Sequence, residues 1–300
     1  MLKAPHRVSS AETPPSVHRS RPICDNRDPT GSAAEAAAST LTTILRITRI
    51  KAGLPQQDTD EVAREFSLLL EVNGQAICRL QCSPAQFEEL ARGFLCTAGL
   101  LSPDKANAPV SCEILENEAR ANVQLDLPDG ALAQLRENLA VGTGCGLGLF
   151  NLKGIDPLDC QRSINLFFKT THAQLKSAMQ EFQKRSDVYR QTGGCHSAAV
   201  AAEGVLIAFA EDIGRHNAMD KVIGSCLGRG IPLHDKVAVS TGRLSLDLVA
   251  KAIRAGLPLV VSRSAPTDAA VQLARLARLT VVGFLRGDRM NVYSEEWRIR

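Results

Sequence analysis

The chain has 300 residues, of which 44% are hydrophobic, so it is long enough to bury a core and is not disordered throughout. Its 35 basic and 32 acidic residues leave a net charge of +3, which does not indicate a nucleic-acid-binding protein. No stretch approaches the roughly 20 apolar residues that a membrane-spanning helix needs. We therefore expect a soluble protein with neither nucleic acid nor a membrane as its partner.

The N-terminal sequence and the cysteines indicate the cytoplasm. Basic residues near the start are not followed by an apolar run, so the sequence does not predict a secretory signal. The nine cysteines are odd in number and irregularly spaced, which is not typical of an extracellular disulfide framework. We expect reduced thiols, with Cys96, Cys112 and Cys226 in the core. Cys78 and Cys82 share a strand face, but the sequence offers no second pair with zinc-ligand spacing.

Two segments lack the periodicity of a packed element. Residues 1–40 are rich in Pro, Ser, Ala and Arg, which is typical of a flexible tail. Residues 141–152 contain the stretch VGTGCGLGLF, in which glycines flank Cys145. Because glycine permits backbone conformations closed to other residues, we interpret this segment as a mobile loop with an accessible thiol. The alternative is a cysteine that is merely tolerated in a loop.

The region between these segments, residues 41–140, predicts a small α+β domain. Strand-like runs at 67–72 and 75–80 are separated by an Asn-Gly pair, a strong hairpin signal. Apolar residues at helical spacing then predict a helix that starts near Ser83 and stops at Gly99.

The second half, residues 153–300, predicts an α/β domain. After a helix at 172–185, whose apolar side carries Leu175, Met179 and Phe182, apolar runs of strand length alternate with helical patterns. Thr267 is expected to cap the last of these helices, whose apolar side carries Val271, Ala274 and Leu276. The predicted strands are 205–209, 237–240, 259–262 and 280–284, followed by an edge hairpin at 290–293. Such alternation predicts parallel strands with right-handed crossovers and helices covering the sheet.

Polar side chains follow each of the four predicted strands. In open sheets of this kind, ligands bind beyond the carboxyl ends of the strands. Helix N-termini with hydroxyls and arginines at this position favour phosphate groups, so we expect a phosphorylated ligand. For any single turn, helix capping and solvated arginines explain the residues equally well. The four turns are EDIGRHN at 211–217, STGR at 240–243, SRSAPT at 262–267 and FLRGDR at 284–289.

The segment that precedes the first of these strands adds a histidine. Gly193 and Gly194 allow close backbone approach, and His196 follows them. With His216 in the neighbouring turn, His196 is a candidate for ligand binding or proton transfer, although a lone histidine is more often structural. The sequence has neither a Walker loop nor a GxGxxG fingerprint, so it does not predict an ordinary kinase or dinucleotide site.

Several motifs resemble the formate dehydrogenase accessory sulfurtransferase family, also called FdhD/NarQ. They are TGGCHSAA, EDIGRHNAMDKVIG, STGRLSLDLVAKA, SRSAPTDAAVQLA and FLRGDRMNVYS, with weaker matches in LLLEVNGQ and FEELARGFLCTAGLL. The resemblance implies a sulfur carrier that relays persulfide sulfur from a cysteine desulfurase to the molybdenum or tungsten bis-guanine-dinucleotide cofactor of formate dehydrogenase. It also implies a cytidine-deaminase-like C-terminal domain, a homodimer, and a site that accepts guanine nucleotides such as GDP.

The resemblance assigns roles residue by residue. Cys145 matches the first cysteine of the family's CGxCG loop and is the expected persulfide carrier. Gly148 replaces the second cysteine, so a resolving thiol in that loop is absent. The expected cofactor-binding residues are Gly194, His196, Asp212, Arg215, His216, Ser240, Thr241, Gly242, Arg243, Ser262, Ser264, Phe284, Leu285, Arg286, Gly287, Asp288 and Arg289.

Two other functions compete with sulfur transfer. A zinc deaminase needs H-x-E and P-C-x-x-C, and neither occurs in the sequence, so we expect no protein-bound metal. The second is a chaperone that binds the cofactor for the apo-dehydrogenase and transfers no sulfur. The replacement of the second loop cysteine by Gly148 favours this function. Cys195, which precedes His196, could compensate for that loss, although a conservative small-residue replacement explains it more simply.

Overall fold

The computed structural model describes residues 41–103, 108–115, 118–140 and 164–300. The predicted tail at 1–40 and the predicted glycine-rich loop at 141–152 lie outside these residues. No helix in the described ranges is long and apolar enough to cross a membrane.

The described chain begins with a long two-stranded hairpin, which we call the arm. Its strands are β1 (Thr42–Lys51) and β2 (Leu54–Ala63), paired antiparallel over ten positions. A two-residue turn of Ala52 and Gly53, both at positive φ, joins them, as expected for a tight hairpin. Most arm residues are exposed, so the arm adds little to the core.

The next sheet has four strands in the order β4-β3-β6-β5 and is covered by a helix. The Asn-Gly hairpin and the helix between its second strand and Gly99 are confirmed, but the helix begins at Phe87 and not at Ser83. The elements are β3 (Phe66–Val72), β4 (Gln75–Cys82), α1 (Phe87–Thr97), β5 (Val110–Ile114), β6 (Glu118–Val123) and α2 (Ala131–Ala140).

The remaining elements form a six-stranded sheet in the order β12-β11-β10-β9-β7-β8, with helices on both faces. The elements are α3 (His172–Arg185), α4 (Asp187–Thr192), β7 (His196–Ala202), β8 (Val205–Asp212), α5 (Arg215–Gly228), β9 (Val237–Ser240), α6 (Leu246–Arg254), β10 (Leu259–Ser262), α7 (Asp268–Ala277), β11 (Thr280–Arg286) and β12 (Arg289–Ser294). The α/β class and the four predicted strands are confirmed.

The four predicted strands run in the same direction, as expected, but the sheet also contains two strands that are antiparallel to their neighbours. Strands β9, β10 and β11 are parallel, but β7 lies between β8 and β9 and is antiparallel to both, and β12 is an antiparallel edge strand. Strand β7 has the sequence HSAAVAA, whose alanines have low strand propensity, so the residues alone did not indicate a strand. It is buried along most of its length, and burial compensates for that propensity.

Alternating residues of the sheet face two hydrophobic clusters. One face contacts α3 through Leu175, Met179 and Phe182, the three residues predicted for its buried side. The opposite face contacts α5, α6 and α7 and joins the four-stranded sheet and α1 in one continuous cluster. In α7 the buried stripe includes Leu273 and Ala274, whereas Leu276, predicted to face inward, is exposed.

Helices α1 and α5 cross at two glycines. A Cβ on Gly93 would lie 1.8 Å from the Asp220 carbonyl oxygen, and a Cβ on Gly224 would lie 1.9 Å from the Glu89 carbonyl oxygen. Both distances are far below van der Waals contact, so any side chain at either position would separate the two backbones. This crossing places the first turn of α1, at Glu89, beside Gly224 near the end of α5.

A buried ionic cluster reinforces the crossing. The Lys251 Nζ lies 2.6 Å and 2.9 Å from the two carboxylate oxygens of Asp220 and 2.9 Å from the Thr97 hydroxyl. Burial raises the pKa of Asp220, while the neighbouring Lys251 charge opposes that shift. Because each ion would be costly to bury alone, the pair specifies how α1, α5 and α6 pack.

Candidate functional site

The ends of five strands meet at one edge of the six-stranded sheet. Because β7 is antiparallel to both neighbours, β8 runs in the same direction as β9, β10 and β11. Their carboxyl ends and the first residue of β7 therefore lie together. We call this the strand-end edge; it comprises His196, Phe284 and residues 212–216, 240–243 and 262–264.

Asp212 organises the first turn of the strand-end edge from a fully buried position. Its carboxylate accepts hydrogen bonds from the N–H groups of Ser83 (3.0 Å) and Gly214 (2.8 Å) and from the Asn217 amide (3.0 Å). The Lys221 Nζ lies 2.6 Å from the same carboxylate, and both side chains are fully buried. All these donors belong to the protein, so Asp212 holds the turn in place beneath the surface.

Ser83 is a site residue that the sequence analysis placed at the start of a helix. Its hydroxyl accepts a hydrogen bond from the Ile213 N–H (3.1 Å), and its carbonyl accepts one from the Lys221 Nζ (3.1 Å). With its own N–H bound to Asp212, Ser83 holds both the first turn and Lys221 of α5 from a position about 130 residues away in the sequence. No local signal could have shown this, because a Ser-Pro pair before a helix is an ordinary helix start.

Glu211, next to Asp212, serves the short helix α4. Its carboxylate accepts hydrogen bonds from the N–H groups of Val188 and Tyr189 and from the Ser197 hydroxyl. An acidic group at a helix N-terminus is favourable. Burial nevertheless raises the pKa of Glu211, and these hydrogen bonds oppose that shift.

His196 lies at the start of β7 and faces the second turn. Its Nδ1 is 3.3 Å from the Thr241 hydroxyl, which also accepts a hydrogen bond from the Ser197 N–H. Burial lowers the pKa of His196, and the charges of Arg215 and Arg243 lower it further. The structure therefore brings His196 and Thr241 together within reach of two guanidinium groups.

Gly242 is the contact point between the first and second turns. A Cβ there would lie 2.9 Å from the Cβ of Arg215, so a side chain would displace the arginine. His216, one residue further along α5, lies 3.5 Å from the Ser245 hydroxyl through its Nε2. Burial lowers the pKa of His216 to about 3, with Lys251 and Arg215 adding repulsion, so its imidazole is neutral at physiological pH.

The hydroxyls of Ser240 and Ser262 are used inside the protein. Ser240 Oγ accepts a hydrogen bond from the Gly242 N–H (3.0 Å). Ser262 Oγ donates to the Gly242 carbonyl (2.7 Å) and accepts from the Ser264 N–H (3.0 Å). Both serines are buried. They shape the turns, which leaves backbone N–H groups and arginines as the groups that can meet an anion.

Two arginines at this edge are placed to meet a ligand. Arg243 is exposed, directly after Gly242. The Nε of Arg263 is buried and has no hydrogen-bond partner within the described part of the chain. A buried guanidinium nitrogen without a partner is costly, and an anion at the edge would satisfy it. Arg263 lies within the predicted SRSAPT turn but was absent from the expected cofactor-binding set.

The FLRGDR segment leaves the strand-end edge after its first residue. Phe284 adopts a positive φ of 55°, and its N–H donates to the Ser264 carbonyl. Leu285 is buried in the cluster on the α3 face, and Asp288 pairs with Lys176 of α3. The other three residues, Arg286, Gly287 and Arg289, are exposed at the tip of the β11–β12 hairpin.

Gly194 lies beside the base of the arm. A Cβ there would be 3.2 Å from the Cβ of Ala63 in β2. The adjacent Cys195 is buried, with its Sγ 3.9 Å from the Ser83 hydroxyl. Burial raises the pKa of Cys195, which opposes formation of a nucleophilic thiolate. The expected carrier Cys145 and Gly148 lie outside the described residues.

The other described cysteines are also poor nucleophiles. Burial raises the pKa of Cys78, Cys82, Cys96 and Cys226 to about 12 and that of Cys112 to about 11. Cys78 and Cys112 are only half-buried, whereas Cys96 and Cys226 lie in the core. Within the ranges that the structure covers, no group of three or more His, Cys, Asp or Glu side chains is placed to hold a metal ion.

A cavity of about 330 Å³ lies away from the strand-end edge. Its lining includes Thr170, Gln174, Glu203, Lys236 and Val237, so it adjoins the β7–β8 turn and the first residue of β9. These residues mark the opposite edge of the sheet. The sequence analysis predicted nothing there.

The fold and the strand-end edge define an α/β protein with a cationic, amide-rich site at the carboxyl ends of its strands. Comparison with known proteins identifies the family more closely. A model of the FdhD/NarQ family matches residues 63–300, and the chain belongs to that family.

Relatives agree with this assignment. The sulfur carrier protein FdhD of Shouchella clausii is 35% identical over 256 residues, covering 85% of this chain and 95% of the relative. The protein of the same name from Listeria innocua is 33% identical over 258 residues, covering 85% and 97%. The crystal structure of a proposed formate dehydrogenase accessory protein from Desulfotalea psychrophila superposes with a TM-score of 0.68 at 26% identity, covering 87% of this chain and all of that one.

Proposed function

We propose that the chain is a sulfur carrier in the maturation of formate dehydrogenase. It receives persulfide sulfur from a cysteine desulfurase on Cys145 and passes it to the molybdenum or tungsten bis-guanine-dinucleotide cofactor, which it binds as a substrate. The names of the relatives support the carrier role. The gathering of three of the four predicted turns, with His196, at the strand-end edge is the observation that carries cofactor binding.

The first transfer requires only one thiol on this chain. The Cys145 thiolate attacks the outer sulfur of the donor's persulfide, a new S–S bond forms at Cys145, and the donor's cysteine leaves as a thiolate. A second loop cysteine takes no part in this exchange, so Gly148 does not prevent it. The described cysteines do not compete, because burial raises their pKa values and suppresses their thiolates.

The strand-end edge suits the phosphates of a guanine dinucleotide. Helix α5 begins at Arg215 without an acidic residue in its first turn, so its free N–H groups favour an anion. Helices α6 and α7 carry Asp247 and Asp268 in their first turns, which makes them less suited to phosphate. Arg243 and Arg263 supply charge from the two neighbouring turns. We propose that the phosphates lie against α5 between these arginines.

The proposal also covers the fold type, the β11–β12 hairpin tip, the cellular compartment and the oligomeric state. The six-stranded sheet with its antiparallel β7 is proposed to be of the cytidine-deaminase-like kind. The exposed tip residues Arg286 and Arg289 are proposed to contact the cofactor from the α3 side. We place the transfer in the cytoplasm, where thiols stay reduced, and expect the protein to act there as a homodimer.

Sulfur loading is tested directly by mass spectrometry. The protein is incubated with a cysteine desulfurase and cysteine, and persulfide is mapped to individual residues. We expect one additional sulfur on Cys145, loss of that signal in Cys145→Ser, and full retention in the matched control Cys112→Ser. Persulfide that persists in Cys145→Ser would refute the assignment of the carrier.

Cofactor binding is tested with GDP as the probe, by titration calorimetry. We expect Arg243→Ala and Arg263→Ala each to weaken GDP binding at least about tenfold, because each removes a charge-assisted contact. Arg120→Ala, on the exposed surface of β6, should bind like the wild type. GDP binding without any persulfide on Cys145 would instead favour the chaperone function that Gly148 suggests.

A further inference from the structure

Within the described part of the chain, the arm packs against α4 through β2, but most of its length is exposed. Strands β1 and β2 form a sheet of their own, and among the described residues neither strand pairs with a third. Ile44, Ile50 and Leu54 are 72%, 70% and 67% exposed. An isolated two-stranded hairpin is at best marginally stable in water. A ten-pair ribbon with exposed isoleucines therefore indicates a docking element.

The alternation of hydrogen-bonded pairs between β1 and β2 shows which backbone N–H and C=O groups of the arm point away from the hairpin. The Arg64 N–H donates to the Leu41 carbonyl at the base of the arm, so this pair is of the hydrogen-bonded kind. Hydrogen-bonded and non-hydrogen-bonded pairs alternate along an antiparallel ladder, so the odd-numbered residues of β1 form the backbone hydrogen bonds to β2. The even-numbered residues Ile44, Arg46, Thr48 and Ile50 direct their N–H and C=O groups outward.

The two outer edges of the arm differ in their capacity to pair. The β2 edge contains Pro55, which has no N–H, and the acidic residues Asp58, Asp60 and Glu61. Proline and like charges are the usual protection of an edge strand. The β1 edge has no acidic residue, and the charge of Arg49 is already balanced by Asp58 at 2.6 Å. Of the two arm edges, the β1 edge is therefore the one suited to accept another strand.

The β1 sequence is complementary to itself in one register. A second copy can pair with this edge only if residues whose N–H and C=O groups point outward lie opposite each other. Antiparallel self-pairing is therefore restricted to registers in which even-numbered residues of β1 oppose even-numbered residues. With Ile47 on a two-fold axis, Ile44 opposes Ile50 of the second copy and Arg46 opposes Thr48. Shifting the axis by one residue to Arg46 would place that arginine opposite itself. The Ile47-centred register therefore joins apolar residues and separates like charges.

We propose that two copies of this chain associate by antiparallel pairing of their β1 strands about Ile47, joining the two arms into a four-stranded ribbon. This assigns a surface to the homodimer proposed above. An isologous contact of this kind closes after two copies, since each β1 edge is used once. The acidic β2 edges then form the outer borders of the ribbon and stop further strand addition.

Paired proline variants of the full-length chain test this surface. Thr48 and Gln57 oppose each other in the arm, and both direct their N–H groups outward, one from each edge. We expect Thr48→Pro to weaken dimerisation at least about tenfold in sedimentation equilibrium, while Gln57→Pro associates like the wild type. Equal association of all three proteins would overturn the β1 pairing, and persulfide loading of Cys145 would still report separately on sulfur transfer.

A cross-link tests the register. With Ile47 on the two-fold axis, mild diamide oxidation of Ile47→Cys should yield a disulfide between the two copies of residue 47, identified by the mass of the linked peptide. Thr48→Cys, which opposes Arg46, should not link to itself. Absence of the 47–47 link would overturn the register. A wild-type monomer that dimerises only after deletion of residues 1–40 would overturn the proposal, since that segment would then occupy the edge.

Discussion

The neutral His216 imidazole should make the stability of this protein depend on pH. His216 lies in the first turn of α5, and its pKa is lowered to about 3 by burial, with further repulsion from Lys251 and Arg215. In the unfolded chain the same group has its ordinary pKa of 6.5. The unfolded chain therefore binds a proton between these two values that the folded chain does not. Lowering the pH through this window favours unfolding.

The size of the effect follows from the two pKa values. At pH 7 the unfolded histidine is mostly neutral and contributes little. At pH 5 it is almost fully protonated while the folded histidine remains neutral, and the difference amounts to about 2 kcal/mol of lost stability. The result is insensitive to the folded pKa as long as that value stays well below 5. The stability is fully present above pH 6.5 and is lost as the pH falls toward 3.

Urea unfolding at pH 7, 6 and 5 measures this contribution. We expect the wild type to lose about 2 kcal/mol more than His216→Gln between pH 7 and pH 5, because glutamine cannot be protonated. The matched variant His234→Gln, at an exposed position, should keep the wild-type slope. Identical slopes for the wild type and His216→Gln, or a His216 ring NMR signal that titrates above pH 5, would refute the reasoning.

Three further outcomes are expected. Asp212→Asn should cost about 3–5 kcal/mol in urea unfolding because it leaves the buried Lys221 charge unpaired, and adding Lys221→Met should regain most of that loss. Gly93→Ala should cost about 3 kcal/mol, measured in the same way, since its Cβ would meet a backbone oxygen that cannot move aside; a stability equal to the wild type would contradict the helix crossing. Under iodoacetamide at pH 8, Cys226, with a pKa of about 12, should be alkylated only after unfolding, whereas Cys145 should react first; equal rates would count against Cys145 as the carrier.

Local signals predicted most elements of the second half of the chain. Helix α3 matches its predicted bounds, and Thr171 caps it in a capping box with Gln174. Thr267 likewise caps α7, as predicted. These features depend on residues a few positions apart, so the sequence alone determined them. Strand β7 escaped prediction because its alanines carry no local strand preference, and the neighbours that bury it lie elsewhere in the sequence.

The sequence likewise predicted some features of the candidate site and not others. The order of motifs along the chain determined which turns follow the strands, and it predicted His196, Thr241 and Arg215 as neighbours of one edge. The sequence could not show that the hydroxyls of Ser240 and Ser262 form hydrogen bonds within the turns, or that Leu285 packs on the α3 face of the sheet.

Only the tertiary structure decided which groups remain available to a ligand. Asp212 is buried, and its carboxylate is bound by the Ser83 N–H and by Lys221. Composition and spacing determine the local elements, because those depend on neighbouring residues. Burial, hydrogen-bond saturation and pKa depend on contacts between distant residues, and these exist only once the chain has folded.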